Sequence, residues 1–282
     1  MNEIERFVAH RIEATLGRTP KSIELLPEGI THRNYLVDGK YVYKRKNPLR
    51  QPFYNADADF HANTLMASLT HGPRILYFSK EDNEIIYEFL PGTTRLTLPV
   101  DDNALKAVAD TLYKLHTSNI TLPNTFNLGE MIKYYKENRA PIYPDESFET
   151  KIIAKYEDYH KQATLVPCHN DVVRGNLLFR ESHLTLIDYE YAGMNDPLFD
   201  HISFLSENNL DDEDTVKRYF AFVKDIPRPL DENKVLTYVL AMDLLWFYWG
   251  GYLYELTSEQ IFKDISDEKA ARISMRRNKL NL

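Results

Sequence analysis

A chain of 282 residues, 43% of them hydrophobic, is long enough for one large domain or two lobes with a real core. Its formal net charge of −8 argues against a nucleic-acid binder, which needs basic faces for phosphate, and suits a cationic small molecule. The single cysteine, Cys168, excludes an internal disulfide and fits a reducing, cytoplasmic setting. The opening MNEIERFVAH is charged where a secretory signal needs an apolar run, so no leader is expected.

In chain order, the first ninety residues read as mostly strand. Ser22–Leu26 is a short apolar-polar alternation. Asn34–Val37 and Lys40–Lys44 flank Asp38-Gly39, a two-residue hairpin signal because both turn positions need positive φ. A helix is expected over Asp57–Leu69, then strands near Arg74–Phe78 and Glu84–Phe89, turned by Glu81-Asp82-Asn83. After Pro91-Gly92 the character changes. Asp101 reads as an N-cap, and Leu105, Val108, Ala109, Leu112 and Leu115 recur at helical spacing. Further helices are expected around Leu128–Asn138, Ser147–Gln162, Asp211–Val223, Glu232–Glu255 and Ser258–Arg276, with strands at Asn176–Phe179 and Leu184–Ile187. The expected architecture is α+β: a β-rich lobe over residues 1–90 and a mainly helical lobe over 91–282, hinged near Glu88–Gly92. Val235–Tyr254 approaches the length of a membrane span, but Asp243 at its middle would be costly in lipid; a core helix is expected, with no transmembrane segment.

The chemistry concentrates in Cys168–Tyr191. His169-x-Asp171 is followed after four residues by Asn176, and Asp188 ends an apolar strand. Phosphoryl transfer needs a group to accept the alcohol proton and oxygen ligands for Mg²⁺. A loop carrying Asp171 and Asn176 places a base beside one ligand, and Asp188 on the next strand supplies a carboxylate. The H-x-D-x-x-x-x-N spacing is that of the protein-kinase loop, although Asp188-Tyr189-Glu190 stands where D-F-G would be. Taken singly, Asp171 and Asn176 are turn residues and Asp188 a strand end; in this order and between strands they point to phosphoryl transfer. His169 reads as a brace for the loop rather than a metal ligand, because no other histidine shows helpful spacing. Cys168 reads as a buried small hydrophobe.

At these residues the sequence resembles the choline/ethanolamine kinases, above all the bacterial choline kinases, within the aminoglycoside-phosphotransferase-like group of the protein-kinase-like fold. Ile187–Asp200 (IDYEYAGMNDPLFD) is similar to the family's I-D-x-E-Y segment, Glu207 follows at the expected distance, and LLWFYWGGY matches the paired tryptophans Trp246 and Trp249. GITHRNYLV is similar to the family's nucleotide loop. The resemblance implies a two-lobe fold and a kinase using ATP and Mg²⁺, with Asp171 as catalytic base and Asn176 and Asp188 as metal ligands. It implies Lys44 at the nucleotide phosphates and a helix carboxylate pairing with that lysine: Asp59, with Asp57 and His61 as rivals. Gly29, Thr31 and Asn34 would form the loop over the phosphates, and Glu88–Leu90 would offer backbone groups to adenine. Three positions depart from the family pattern: Glu28 opens the loop where Gly is usual, Asp59 stands for a glutamate, and Ser203 stands for an asparagine.

A quaternary ammonium donates no strong hydrogen bond, so aromatic faces and a nearby carboxylate must hold it. Trp246, Trp249 and Tyr252 follow one helix face, with Tyr191 as a further ring and Glu207 as the anion. Such rings at helical spacing are also ordinary core residues; the resemblance favours the cage and choline as acceptor. Asp243 is either a second acidic partner or a core residue. Gly250-Gly251 signals close packing or a ligand-facing bend. The basic stretch Arg272, Arg276, Arg277 and Lys279 reads as a solvated helix end. Ethanolamine, an aminoglycoside or a thiamine-like alcohol are the alternative acceptors, and a non-catalytic nucleotide binder is the alternative of another class.

Overall fold

Asp38 and Gly39 take positive φ, 52° and 63°, and close the hairpin that organises the small lobe. In the computed structural model, which describes residues 3–26, 32–47 and 52–279, this hairpin joins β2 (Asn34–Val37) to β3 (Tyr41–Arg45). With β1 (Ile23–Leu25), β4 (Ile75–Ser79) and β5 (Glu84–Glu88) they form an antiparallel sheet in the order β1-β2-β3-β5-β4. Tyr43 pairs with Ile86 and Lys44 with Ile85, so alternate β3 residues face the cleft.

Two helices flank this sheet. The first, α1 (Glu3–Leu16), lies where the sequence reading placed no helix. Val8, Ile12 and Leu16 recur every four residues and pack with Tyr35, Val37, Tyr43 and Ile86 in a core of the small lobe's own. The second, α2 (Ala56–Ser68), is capped by Asn55, whose side chain accepts from the Ala58 N–H. Its Ala58, Ala62 and Met66 join the large-lobe core instead.

Past the hinge the elements are α3 (Asp102–His116), α4 (Leu128–Glu137), α5 (Glu146–Gln162), β6 (Val166–Cys168), β7 (Leu177–Arg180), β8 (His183–Leu186), β9 (Gly193–Asn195), α6 (Pro197–Glu207), α7 (Glu213–Phe222), α8 (Glu232–Thr257) and α9 (Gln260–Arg276). Asp101 caps α3 as its position suggests, accepting from Ala104 N at 2.8 Å. The buried α6 was not anticipated, although Asp196-Pro197 is a helix start: the aspartate accepts from Leu198 N and Pro197 occupies the first turn. Thr94 and Phe179 exchange two backbone hydrogen bonds of 2.8 Å, tying the hinge to β7.

The helix α8 is apolar all round because it is buried all round, from Leu240 to Leu253. No helix among the described residues is long and apolar enough to cross a membrane. A Cβ at Gly250 would stand 2.8 Å from the Phe262 carbonyl, and one at Gly251 would stand 2.1 Å from Pro141 Cδ. Close approach of α9 and Pro141, rather than a bend, requires the glycine pair.

Candidate active site

The loop between β6 and β7 is held from below. Asp200 on α6 is fully buried and accepts from the backbone N–H of His169 at 2.8 Å and of Asn170 at 2.6 Å. His116 at the end of α3 bridges Asp200 and Asp225, at 3.0 and 2.5 Å. Burial opposes a charge on His116, but the carboxylates of Asp200 and Asp225 bonded to it raise its pKa well above the ordinary histidine value. His169 Nδ1 accepts from the Asp171 N–H and its Nε2 donates to the Ile187 carbonyl, so it braces the loop as its position suggests. Ser203 is fully buried, and its hydroxyl accepts from Val172 N at 3.0 Å. Cys168 is fully buried, its thiol pushed up to about 12 mainly by burial, and is no nucleophile.

On this frame Asn176 donates its amide to the Asp171 carbonyl and to Asp171 Oδ2, at 2.9 and 3.0 Å. Those bonds fix the carboxylate and leave the Asn176 amide oxygen for another partner. The Ile187 N–H donates to the Asn176 carbonyl at 3.1 Å, which brings the following Asp188 alongside. Asp188 has φ 71°, a left-handed conformation that aspartate tolerates better than most side chains. Burial first, then Glu190, Asp188 and Glu207, raise the pKa of Asp171 well above that of an ordinary carboxylate.

Opposite stand two lysines from β3 and its end. Lys44 Nζ lies 2.5 Å from Asp188 Oδ2 and 3.8 Å from Glu190. The expected pairing of Lys44 with the helix carboxylate is not made. Asp59 instead accepts from Lys46 at 2.7 Å, and also from Tyr54 and Asn63. The period of two puts Lys44 and Lys46 on one face of the strand, and the second lysine reaches farther toward α2. Of the rivals, Asp57 pairs with Lys80 at the surface and His61 is exposed. Burial works against the charge on Asp188, yet Lys44 and Lys46 hold its pKa well below the usual range. Glu190 is buried and paired with His32 at 2.7 Å.

Lys44, Lys46, Asp171, Asn176, Asp188 and Glu190 line one cavity of about 450 Å³ between the lobes. A second cavity adjoins it, walled by Val42, Leu178 and Ile187 and edged by Glu88 and Leu90, a slot suited to a flat ring. Asn34 lines both. The Glu88 carboxylate turns outward to Arg74 at 2.7 Å, so only its backbone edges the slot. Gly29 and Thr31 lie outside the described residues, as does Glu28.

At the far end of the first cavity Tyr191, Trp246 and Trp249 form a wall. Tyr191 meets Trp246 edge-on with centroids 5.4 Å apart, and Trp246 meets Trp249 at 5.7 Å. Tyr252 does not continue this wall, in contrast to the expectation. Six residues along α8 the face has rotated, and Tyr252 packs against Tyr134 and Tyr135. Glu207 lines the cavity, but Lys269 of α9 donates to both its oxygens at 2.7 Å. Asp243 is a core residue, paired with Arg276 at 2.6 Å. The basic stretch is therefore not simply solvated: Arg272 is buried and donates to the Ser206 carbonyl and hydroxyl, and Arg277 reaches Asp145 at 2.6 Å. Sequence reasoning passed over Lys46 and Lys269 and read Arg272 as solvated. Lys46 had a signal in its period-two spacing from Lys44; for the other two the signal was Asp243, a buried acid that needs basic neighbours.

A strand-rich lobe over a helical one, with this loop and Asp188 at their junction, is the architecture of the protein-kinase-like small-molecule phosphotransferases. The fold is similar to that of choline kinase LicA from Streptococcus pneumoniae, with a TM-score of 0.82 over 97% of this chain and 98% of that one, at 21% identity. Residues 22–230 match the phosphotransferase enzyme family, and the chain belongs to that family. Protein LicA of Haemophilus influenzae is 35% identical over 119 residues, 40% of this chain and 45% of that protein, so the match spans less than half of that relative. The ethanolamine kinase of Saccharomyces cerevisiae is 30% identical over 111 residues, 36% of this chain and 21% of that protein.

Proposed function

We propose that this chain is an ATP-dependent kinase that phosphorylates the hydroxyl of choline. One observation carries the reading: a single cavity joins the charged cluster of Asp171, Asp188 and Lys44 to the aromatic wall of Trp246, Trp249 and Tyr191. The small lobe, residues 1–90, would hold the nucleotide, with adenine in the slot edged by Glu88–Leu90. Lys44 and Lys46 would meet the phosphates as point charges. Residues 91–282 would supply the base and the acceptor site.

Asp171, fixed by Asn176, accepts the proton of the acceptor hydroxyl as that oxygen bonds to the γ-phosphorus. The bond from phosphorus to the β–γ bridging oxygen breaks, and ADP leaves with that electron pair. Asp188 Oδ1 is buried without a hydrogen bond among the described residues, and Asn176, whose amide N–H groups go to Asp171, lines the same cavity. Hard oxygens so placed fit Mg²⁺, which when bound neutralises charge on the phosphates. The rings of Trp246, Trp249 and Tyr191 would stack on the trimethylammonium, each contributing roughly 0.5–2 kcal/mol when desolvated.

The test is ADP release from purified protein with Mg-ATP and choline, ethanolamine, thiamine, an aminoglycoside or no acceptor. Choline-dependent release that disappears in Asp171→Ala is the expected result. Release with another acceptor alone would discard choline, and silence with every acceptor would leave a nucleotide-binding protein without this activity.

A further inference from the structure

Glu207 lines the cavity that the tryptophans wall, yet it is already occupied. Lys269 Nζ lies 2.7 Å from each of its oxygens, and the two side chains are 5% and 10% exposed. The same ammonium lies 3.6 Å from Asp243 Oδ1, beyond hydrogen-bond reach. Asp243 is fully buried in α8, and Arg276 takes its other oxygen at 2.6 Å. Its Oδ1 has no hydrogen bond among the described residues, and Arg272 Nε, 3.5 Å away, does not supply one. One cation thus stands between two carboxylates, bonded to the first and facing an unsatisfied oxygen of the second.

This has a consequence for a cationic acceptor, and it rests on the reading of the pocket given above. A trimethylammonium cannot hydrogen-bond, so at the far end of the cavity it depends on ring faces and an uncompensated anion. With Lys269 on Glu207 that anion is cancelled. We infer that Lys269 is a specificity-determining residue: its ammonium competes with the cation of the acceptor for Glu207, and gives way by moving to Asp243 Oδ1. The movement needed is about 1 Å at the end of a flexible side chain, and it satisfies an oxygen that is otherwise buried and unpaired. Arg272 and Arg276 stay in place, held by Ser206 and Asp243. The pocket therefore charges a fixed penalty to every cation it admits, and Lys269 sets its size.

The chain's only two tryptophans are Trp246 and Trp249, so intrinsic fluorescence reports this pocket directly. Choline and its neutral carbon isostere, 3,3-dimethylbutan-1-ol, are titrated into the wild type, Lys269→Met, Lys269→Arg and the Lys269→Met/Glu207→Gln double variant. Lys269→Met should raise the affinity for choline relative to the isostere by about tenfold, the scale of one charged hydrogen bond. Lys269→Arg, which keeps the charge, should leave that ratio near the wild-type value, and the double variant should lose the gain. A ratio unchanged or lowered in Lys269→Met overturns the inference. Should that variant not fold, Asp243→Asn replaces it: without the acidic destination, choline binding should weaken at least threefold relative to the isostere, and an unchanged ratio overturns the inference. If wild-type protein neither responds to choline nor turns it over, the choline reading fails on its own. Lys269 then stands if Lys269→Met gains a response to tetramethylammonium, and falls if it does not.

Discussion

At the charged end of the cleft, Lys44 stands within ion-pair reach of Asp188 and Glu190, and Lys46 of Asp59 and Asp188, all buried or half-buried. At the aromatic end, rings face the cavity and the ion pairs stand behind them, between α6, α8 and α9. The first arrangement suits a ligand of high negative charge bound with a metal, where lysines can be redistributed between protein carboxylates and phosphates. The second suits a weakly hydrated cation that offers no hydrogen bonds and must be held by faces. On the proposed reading one cavity would recognise its two ligands by different physics, with Asp171 where the two regimes meet.

The comparison can be broken most severely at that meeting point. Asp171→Ala should lower turnover about 10²- to 10⁴-fold, as expected for lost general-base help, while both substrates still bind; near-full turnover in steady-state assays would remove the residue from the mechanism. Next is the frame shared by both ends. His116→Gln leaves Asp200 and Asp225 buried without their cation and should cost about 3–5 kcal/mol of stability, read by urea denaturation. Turnover should fall too, because Asp200 anchors the backbone before Asp171. His116 has a raised folded pKa, so its contribution is present below the unfolded value of about 6.5 and fades as pH climbs through the folded value.

A smaller effect separates the two ends. Lys46→Met should raise the ATP KM roughly 10- to 100-fold, the scale of a charged hydrogen bond, and leave the choline KM within about twofold; a choline effect of equal size would blur the division. The smallest effect concerns pH. Asp171 must be ionised to accept a proton, and burial with Glu190, Asp188 and Glu207 raises its pKa. The acid limb of the kcat profile should therefore lie above the ordinary aspartate value of about 4. Glu207→Gln, removing one of those charges, should move the limb to lower pH; an unmoved limb would detach Glu207 from the base.

Much of the charged end was legible because its signals are local. The Asp38-Gly39 turn sets the β3 register, and Asp171, Asn176 and Asp188 lie within one short stretch whose spacing has a chemical meaning. Where it misled, two candidates stood two residues apart: nothing in YVYKRK says whether Lys44 or Lys46 reaches α2. The aromatic end depends on contacts between distant segments. Lys269 and Glu207 are 62 residues apart, and α9 carries charge on several faces, so its sequence could not say which face meets α8. Tyr252 illustrates the same limit, since a drift of the helical face over six residues turned it from the cavity to α4. The missed α1 had a periodic stripe in Val8, Ile12 and Leu16, hidden among charges.

The division of the cleft is tested most directly by steady-state kinetics of Trp249→Ala with choline and ATP varied in turn. The account predicts a choline KM raised roughly 2- to 30-fold, matching a lost ring contact of about 0.5–2 kcal/mol, with the ATP KM unchanged. Equal increases in both KM values, or no change in that for choline, would contradict it and return Trp249 to the core.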